Sequence, residues 1–256
     1  MRISPRARIT WAAHFSKACL KQHHRELVRP LSNFIRSDSV VFDVGAHAGQ
    51  FTKLFAKMAA DGQVYSFEPG SYALSILRRA TRFNRLRNVT VLPFGLGDDA
   101  ETLQLSVPVK PSGSIGFGLS HLLLPDRGAP AERRAGWEYL HETVEIRTLD
   151  QFVRDQRVNR LDFMKVDIEG WEQRMLAGAK DTIARFGPAM MIEVIEENLA
   201  RAGGSAQGLF DDLRAAGYRA FRYEPMEDVF IELQEPMTGD AFFCKQPRHI
   251  ERVLAT

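Results

Sequence analysis

Strand-like and helix-like segments alternate through the first half of the chain. Continuous runs of β-branched and aromatic residues, typical of strands buried on both faces, cover residues 39–44, 63–69 and 88–95. Segments of helical composition follow the first two runs, at residues 52–60 and 71–83. Repeating units of this length predict a parallel sheet that is covered by helices and joined by right-handed crossovers.

The alternation returns in the second half. The predicted strands cover residues 161–166, 189–195, 218–223 and 240–245, and the predicted helices cover residues 170–185 and 205–216. A winding segment at residues 225–239 joins the last two strands, and no stretch resembles an interdomain linker. We therefore expect one domain over residues 38–256.

The pattern changes between these two halves. Residues 101–107 and 142–149 alternate polar and apolar side chains, which predicts two half-exposed strands that pair with each other. The segment 108–141 is rich in Gly, Ser and Pro and is long for a loop in a compact domain. We expect it to form an insertion or lid loop over a pocket.

Basic residues are concentrated at the N-terminus. Residues 1–37 carry eight Lys or Arg against the single acid Glu26, whereas the whole chain has a net charge of +2. Spaced apolar residues predict an amphipathic helix that ends near Pro30. We interpret the segment as a basic helical arm that packs on the domain or forms a dimer. A lid, or contact with a membrane surface or polyanion, is the alternative.

The composition is that of a globular protein. Of 256 residues, 45% are hydrophobic and 26% charged, and the small net charge does not point to nucleic acid as a partner. Cys19 and Cys244 are the two cysteines, so neither a disulfide framework nor a cysteine zinc site is expected. No run approaches the roughly 18 apolar residues of a membrane span. A cytoplasmic location is the simplest expectation.

The stretch VVFDVGAHAGQFTKLFAKM, residues 40–58, carries the first chemical signal. Gly45 and Gly49 permit a tight turn and close approach of a ligand, and the helix that follows presents free N–H groups at its start. The spacing is neither G-x-G-x-x-G nor that of a phosphate loop, which argues against a phosphate-rich ligand. Asp43, at the end of the strand, suits a ligand with a positive charge.

Glu68 provides the second signal. It ends the next predicted strand, where a carboxylate can accept hydrogen bonds from both ribose hydroxyls of an adenosine. The order of strand, glycine turn, helix, strand and acid therefore predicts an adenosine-containing cofactor.

Four motifs together resemble a known family. The segments FDVGAHAGQFT, VYSFEP, RTLDQF and LDFMKVDIEGWE are similar to those of the FkbM-type methyltransferases, which use S-adenosylmethionine mainly for O-methylation of sugars, polyketides and other natural products. The resemblance covers roughly residues 38–195. It implies an α/β fold with a doubly wound, Rossmann-like class I methyltransferase sheet of seven mostly parallel strands, the last one antiparallel.

The resemblance also implies a set of cofactor-binding residues. The methionine and ribose part of S-adenosylmethionine is expected beside the glycine turn, the ribose hydroxyls on the second strand's acid, and the adenine near the loop GLGD. His47 stands where many relatives have Asn. The acid of the GLGD loop is alternatively a solvated turn residue. The expected set is Asp43, Gly45, Ala46, His47, Gly49, Glu68 and Asp98.

Methyl transfer needs an acceptor oxygen aligned with the methyl group and a group that removes its proton. In the motif MKVDIEG, Asp167 and Glu169 follow a predicted strand, where alternate residues project to the same side. We predict that Asp167 is the general base or orients the acceptor and that Glu169 supports it. Alternatively, Glu169 caps a helix that begins at Gly170.

Other charged residues are second-tier candidates. Lys165 and Glu193 lie on neighbouring predicted strands and are expected to form a structural ion pair. His47, His121 and His141 have the chemistry of a base, although single histidines more often lie on the surface or in the packing. Alternatively, Asp167 and Glu193 bind a divalent cation that lowers the pKa of the acceptor hydroxyl, but a metal is not favoured because no third ligand is recognisable.

Two other function classes stay open from the sequence. One is a nicotinamide-dependent oxidoreductase on a related sheet, and the other is a non-catalytic partner protein that binds the cofactor. The favoured function is an O-methyltransferase that forms S-adenosylhomocysteine and acts on a small-molecule or glycan acceptor. N- or C-methylation uses the same cofactor, and a homo-oligomer is compatible with the arm.

Overall fold

The computed structural model describes residues 5–112, 115–116, 120–123, 136–246 and 253–254. Helices and strands alternate along most of this range. The strands are β1 (Val40–Val44), β2 (Gln63–Phe67), β3 (Val89–Leu92), β4 (Gly95–Leu96), β5 (Glu101–Val109), β6 (His121–Leu123), β7 (Glu138–Arg147), β8 (Phe163–Val166), β9 (Ala189–Val194), β10 (Arg219–Glu224), β11 (Val229–Leu233), β12 (Gly239–Cys244) and β13 (Val253–Leu254). The α-helices are α1 (Pro5–Leu20), α2 (Val28–Leu31), α3 (Gln50–Met58), α4 (Ser71–Phe83), α5 (Leu149–Asp155), α6 (Glu172–Ala177), α7 (Lys180–Phe186), α8 (Glu196–Arg201) and α9 (Ala206–Ala215).

The main sheet has the strand order β13-β11-β10-β12-β9-β8-β1-β2-β3. Strands β9, β8, β1, β2 and β3 are parallel neighbours, and β12 is antiparallel to both β9 and β10. The seven strands from β3 to β10 thus form the predicted sheet, in which β12, the last of the seven along the chain, is antiparallel, and this prediction is confirmed.

Two further strands, β11 and β13, extend this sheet beyond β10, so that it has nine strands among the described residues. Strand β11 pairs antiparallel with β10 and lies in the segment that was predicted to wind. The apolar residues of β11 stabilise this strand, since Phe230 is buried and packs edge-on against Phe34 at 5.8 Å between ring centroids. Strand β13 pairs with β11.

The two faces of β1 pack against different layers. Phe42 and Val44 belong to the large core that includes Phe152 of α5, whereas Val41 packs with Phe55 of α3 on the other face. Successive strand residues point to opposite faces, so Asp43 lies on the α3 face with Val41. The strand register places Asp43 between Ser66 and Lys165 of the neighbouring strands.

A second, four-stranded sheet has the order β4-β7-β5-β6. The predicted pairing of residues 101–107 with 142–149 is confirmed, because β5 and β7 pair antiparallel from Glu101 opposite Ile146 to Val109 opposite Glu138. Strand β6 comes from the predicted lid loop and pairs with β5. Residues 113–114, 117–119 and 124–135 of that loop lie outside the described residues.

Two predicted helices differ from the structure. The helix predicted at residues 170–185 is divided into α6 and α7. Gly178 lies between the two helices, and a Cβ there would lie 2.0 Å from the carbonyl oxygen of Gly97. The helix is therefore interrupted where it passes close to the loop that contains Gly97. The N-terminal helix ends at Leu20, not near Pro30, which lies inside α2.

The buried ammonium of Lys53 explains this early end. It donates hydrogen bonds to the carbonyl oxygens of Ala18 at 3.3 Å, Cys19 at 2.7 Å and Lys21 at 3.1 Å. These carbonyls have no partner within a helix that stops here, and a lysine satisfies them. The arm is thereby attached to α3, and Trp11 on α1 bonds to Ser75 on α4. None of the described helices combines the length and the apolar composition that a membrane span requires.

Candidate active site

A cavity of about 340 Å³ lies between the two sheets, at the carboxyl ends of β1, β2, β8 and β9. This is the edge where doubly wound sheets bind ligands, and the volume falls in the range of small-molecule sites, about 300–1,000 Å³. Six predicted site residues line it: Gly45, Ala46, His47, Glu68, Asp167 and Glu169. Asp43, Gly49 and Asp98 are not among the described lining residues.

The turn after β1 depends on residues that accept a left-handed backbone. Gly45 has φ 78°, and a Cβ there would lie 1.8 Å from the carbonyl oxygen of Asp167. Gly49 has φ 84° and is the N-cap of α3. His47 has φ 52°, a region in which Asn, Asp and His are the commonest residues after Gly. The position therefore favours His or Asn for a backbone reason.

Glu68 is fixed by backbone hydrogen bonds. Its Oε2 accepts from the N–H of His47 at 2.8 Å, and its Oε1 accepts from the N–H of Gly70 at 2.8 Å. Burial raises the pKa of Glu68 to about 7, against the two hydrogen bonds, which favour the ionised form. A carboxylate at the end of β2 is therefore held in one orientation at the cavity wall.

Asp43 lies beneath the cavity and is fully buried. Its Oδ2 accepts a hydrogen bond from Thr52 Oγ1 at 2.6 Å, while Oδ1 has no hydrogen-bond partner among the described residues. Burial raises the pKa of Asp43, and the nearby ammonium of Lys165 opposes this shift. The structure thus places Asp43 under the glycine turn, and direct contact with a cofactor remains a prediction.

Lys165 and Asp167 form a buried ion pair. Lys165 Nζ lies 2.9 Å from Asp167 Oδ2 and 4.9 Å from the ring centre of Phe51. Burial alone would lower the pKa of Lys165, but the carboxylates of Asp167 and Asp43 outweigh it and the pKa is raised. The partner of Lys165 is therefore Asp167. The predicted ion pair with Glu193 does not form, because the ammonium is already engaged.

Glu193 lines the same cavity as Asp167. Burial, and then the charge of Asp167, raises the pKa of Glu193 to about 8. For Asp167, burial is outweighed by the charge and the hydrogen bond of Lys165, so the pKa of Asp167 is lowered. The ammonium of Lys165 thus stabilises the ionised form of Asp167, whereas burial and the neighbouring carboxylate favour the protonated form of Glu193.

Glu169 does not cap a helix, so that alternative is wrong. Helix α6 begins at Glu172, whose own Oε1 accepts from the N–H groups of Ile168 and Gly170. Glu169 has φ 56°, and its Oε2 accepts from Asn198 Nδ2 at 3.1 Å. Burial, followed by the charge of Asp167, raises the pKa of Glu169 to about 7.

The predicted adenine partner, Asp98, forms an ion pair with Arg174 at 3.1 Å. Trp171 lines the cavity next to the same loop, and its buried Nε1 has no hydrogen-bond partner among the described residues. A Cβ on Gly97 would lie 3.1 Å from that nitrogen. The sequence pattern did not indicate this orphan donor at the wall of the cavity.

The histidines take different positions. His121 lines the cavity, whereas His141 on β7 is exposed. Burial lowers the pKa of His47 to about 4, so its ring is neutral. His24, from the arm, also lines the cavity and stacks on Phe51 with 4.0 Å between ring centres, a contact that the sequence did not indicate. The described residues contain no group of three or more His, Cys, Asp or Glu that could hold a metal ion.

The sequence matches the family described as the Methyltransferase FkbM domain over residues 43–220. Methyltransferase sdnD of Sordaria araneosa is 28% identical over 167 residues, 57% of this chain and 62% of that protein. The 2-O-methyltransferase NoeI of Sinorhizobium fredii is 22% identical over 166 residues, 63% of this chain and 65% of that protein. The family match bears out the resemblance of the sequence motifs.

A crystal structure of methyltransferase FkbM from Methylobacillus flagellatus aligns with a TM-score of 0.48 at 16% identity, over 91% of this chain and 58% of that chain. The matches to four curated relatives cover 10% to 65% of the length of those proteins. The chain thus spans less than two thirds of each of these relatives.

Proposed function

Because this chain belongs to the FkbM family of S-adenosylmethionine-dependent methyltransferases, we propose that it methylates a hydroxyl group of a sugar, a polyketide or another secondary metabolite. The observation that carries the proposal is the position of Glu68. Its carboxylate is fixed by two backbone N–H groups at the end of β2 and lines the cavity beside Gly45. An acid at this position accepts hydrogen bonds from ribose hydroxyls.

The charges of the cavity favour a cationic ligand over a dinucleotide. Lys165 is the one Lys or Arg among the described residues that line it, and its ammonium is bound to Asp167. The described lining includes five acids: Glu68, Glu142, Asp167, Glu169 and Glu193. A pyrophosphate would meet these acids without basic partners, whereas a positively charged sulfur complements them.

The remaining cofactor contacts follow from the elements around Glu68. Gly45, Ala46 and His47 would hold the methionine part at the start of α3, with Asp43 supporting the turn through Thr52. The orphan N–H of Trp171 is a buried donor that a ring nitrogen of adenine would satisfy. The donor and acceptor set of this cavity thus fits the adenosyl cofactor of the family.

When bound, S-adenosylmethionine supplies a methyl group that is electrophilic because its sulfur is positively charged. The side chains of the protein then have to orient the acceptor oxygen and take its proton. Asp167, a carboxylate fixed by Lys165, suits the orienting role. Glu169 and Glu193 also line the cavity, and a carboxylate there can accept the proton of a hydroxyl group, which favours a hydroxyl as the acceptor. The distant relative NoeI is described as a 2-O-methyltransferase.

Calorimetry with S-adenosylhomocysteine and with NADH tests the cofactor site. We expect S-adenosylhomocysteine to bind and NADH not to bind. Glu68→Gln should weaken this binding about 10- to 100-fold, since a hydrogen bond to a charged group contributes about 1.5–3 kcal/mol. Glu145→Gln, an exposed change on β7, is the matched control. Binding of NADH in place of S-adenosylhomocysteine would overturn the proposal.

The acceptor is tested separately. The protein is incubated with methyl-labelled S-adenosylmethionine and an extract of its own host, and labelled products are identified by mass spectrometry. A labelled methyl ether is the expected result. Label on nitrogen or carbon would contradict O-methylation, and the absence of any labelled product would contradict catalysis by this chain.

A further inference from the structure

Helix α1 exposes a largely apolar stripe to solvent. The exposed residues recur at intervals of three and four positions, so they lie along one side of the helix. Ile9 and Leu20, at the two ends of this stripe, are 71% and 75% exposed, and Ala12, Ala13 and Ser16 lie between them. Burial of the two large side chains would be favourable, so the stripe suits an apolar environment outside this chain.

Helix α4 packs beside α1 and extends this surface. Trp11 Nε1 donates a hydrogen bond to Ser75 Oγ at 2.8 Å, and Phe15 meets Phe83 edge-on at 6.2 Å between ring centroids. Phe83, the last residue of α4, is nevertheless 60% exposed. The exposed sides of the two helices are therefore contiguous, and we call this surface the α1–α4 face.

Basic residues surround the apolar side chains of the α1–α4 face. The guanidinium of Arg79 lies 5.2 Å from the ring centre of Trp11, where the two helices meet. The exposed basic residues on these helices and in the turns after them include Lys17, Lys21, Arg78, Arg79, Arg82 and Arg85. The ion pairs between described residues involve none of these six side chains.

Neither helix of the α1–α4 face contains an acid. The sequence has no Asp or Glu in residues 5–25 or 71–97, and α3, to which Lys53 attaches α1, has none either. Glu142 accepts the N–H of Ser71 at the first turn of α4, at the opposite end of that helix from Phe83. Positive charge is therefore concentrated on this face, although the net charge of the whole chain is only +2.

We propose that the α1–α4 face binds an anionic membrane surface. A helix with exposed apolar residues and a basic rim binds at the boundary between lipid headgroups and acyl chains, and each Lys or Arg near an anionic surface strengthens the attraction. Ile9, Leu20 and Phe83 enter this boundary, while the basic side chains contact the headgroups. The proposal is independent of the reaction that the cavity catalyses.

Other occupants fit the α1–α4 face less well. A symmetric dimer through this face would bring the same positive charges of two copies together, which is unfavourable. Nucleic acid would neutralise the charges, but its phosphate backbone offers no apolar environment to Ile9, Leu20 and Phe83. An anionic bilayer satisfies the charged and the apolar side chains together.

Co-sedimentation of the full chain with lipid vesicles tests this interaction. One set of vesicles contains phosphatidylcholine alone, and the other contains phosphatidylcholine with an equal amount of phosphatidylglycerol. We expect binding to the anionic vesicles to be roughly tenfold tighter or more. Binding should weaken when the salt is raised from about 0.1 M to 1 M, because the Debye length then falls from about 10 Å to 3 Å.

Two sets of variants separate the charged from the apolar contribution. Arg78→Gln/Arg82→Gln/Arg85→Gln removes three exposed positive charges and should weaken binding to anionic vesicles about 100-fold, since each charge contributes about fivefold. Ile9→Ser/Leu20→Ser should weaken binding roughly tenfold or more, because the apolar contact with the acyl chains is lost. Both residues are exposed, so thermal unfolding should be nearly unchanged.

The matched control, Arg157→Gln/Lys180→Gln/Arg185→Gln, removes the same charge from exposed positions after α5 and on α7. These two helices pack on the opposite face of the main sheet from α3, so the control should bind anionic vesicles like the unmodified chain. Equal losses in the two triple variants would overturn the proposal, because total charge would then explain the binding.

The unmodified chain decides the proposal even if a variant does not fold. Absence of binding to anionic vesicles, or equal binding to both kinds of vesicle, would overturn it. Binding of duplex DNA without binding of vesicles would assign the α1–α4 face to nucleic acid instead. A dimer detected by light scattering that Ile9→Ser/Leu20→Ser dissociates, in a chain that does not bind vesicles, would assign the face to self-association.

Discussion

The backbone N–H of His47 donates a hydrogen bond to Oε2 of Glu68 at 2.8 Å, which joins the turn after β1 to the end of β2. The second oxygen of Glu68 accepts the N–H of Gly70, so the carboxylate is held from both sides. This arrangement needs the left-handed backbone of His47, with φ 52°. The residue at position 47 therefore acts on the cofactor site through its backbone as well as its ring.

The first prediction concerns that backbone. His47→Asn should leave stability and binding of S-adenosylhomocysteine nearly unchanged, because Asn tolerates a left-handed conformation. His47→Val should lose about 1–2 kcal/mol in the free energy of unfolding, since a residue with a branched Cβ is strained there. Urea unfolding and calorimetry measure both effects. Equal losses in the two variants would show that the imidazole ring matters more than the backbone.

The glycine turn and the acids at the strand ends could be predicted from the sequence because they are local. Asp43, Gly45 and Glu68 each follow a run of apolar strand residues, and the pattern alone places them at one edge of a sheet. The β5–β7 pairing was predictable for the same reason, since both strands alternate polar and apolar residues.

What the sequence did not indicate depends on residues far apart in the chain. The early end of α1 is due to Lys53, more than 30 positions later. The orphan N–H of Trp171 results from its packing beside Gly97. The position of Asp167 and Glu193 in the wall of one cavity requires two neighbouring strands at a known register. No local pattern encodes these relationships, so the structure was needed to find them.

The second prediction concerns the orphan donor. Trp171→Phe removes the indole N–H, and we expect binding of S-adenosylhomocysteine to weaken about threefold to tenfold, the effect of one neutral hydrogen bond. Calorimetry measures the affinity, and thermal unfolding shows how much of the change is lost packing. Trp137→Phe, which changes a tryptophan outside the described cavity lining, is the control. Unchanged affinity in Trp171→Phe would remove the indole from the adenine site.

The third prediction concerns the buried cation. Lys165→Met leaves Asp43 and Asp167 without their ammonium partner, and breaking a buried ion pair typically costs about 3–5 kcal/mol. We expect a loss of that order in the free energy of unfolding, measured with urea. The loss should shrink at lower pH, where protonation removes the uncompensated charge. Lys180→Met, an exposed change on α7, is the control, and an equal loss there would contradict the importance of the pair.

The fourth prediction concerns the attachment of the arm. Lys53→Met removes the ammonium that binds three carbonyl oxygens at the end of α1. Amide hydrogen exchange in α1 should become roughly tenfold faster or more, because charged hydrogen bonds contribute about 1.5–3 kcal/mol, while exchange in β1 and β8 should not change. Lys57→Met, one turn later and bonded to Gln22, is the matched control. Unchanged exchange in α1 would mean that its apolar contacts with α4 suffice to hold it.

The last prediction concerns the pH dependence of stability. The pKa of Glu169 is raised from its ordinary value of 4.5 to about 7 in the folded protein, so folding favours its protonated form. The stability that this proton contributes is fully present below about pH 4.5 and is lost as the pH rises through 7. Glutamine does not ionise, so Glu169→Gln should gain stability relative to the unmodified chain between about pH 5 and 8.

Thermal unfolding across this pH range measures the difference between the two proteins. It should grow with pH and level off above about pH 8, where Glu169 is ionised in both the folded and the unfolded state. Glu197→Gln, at an exposed position on α8, should give a curve parallel to that of the unmodified chain. A constant difference for Glu169→Gln would mean that the carboxyl group titrates alike in the two states, and that the acids around it do not hold its proton.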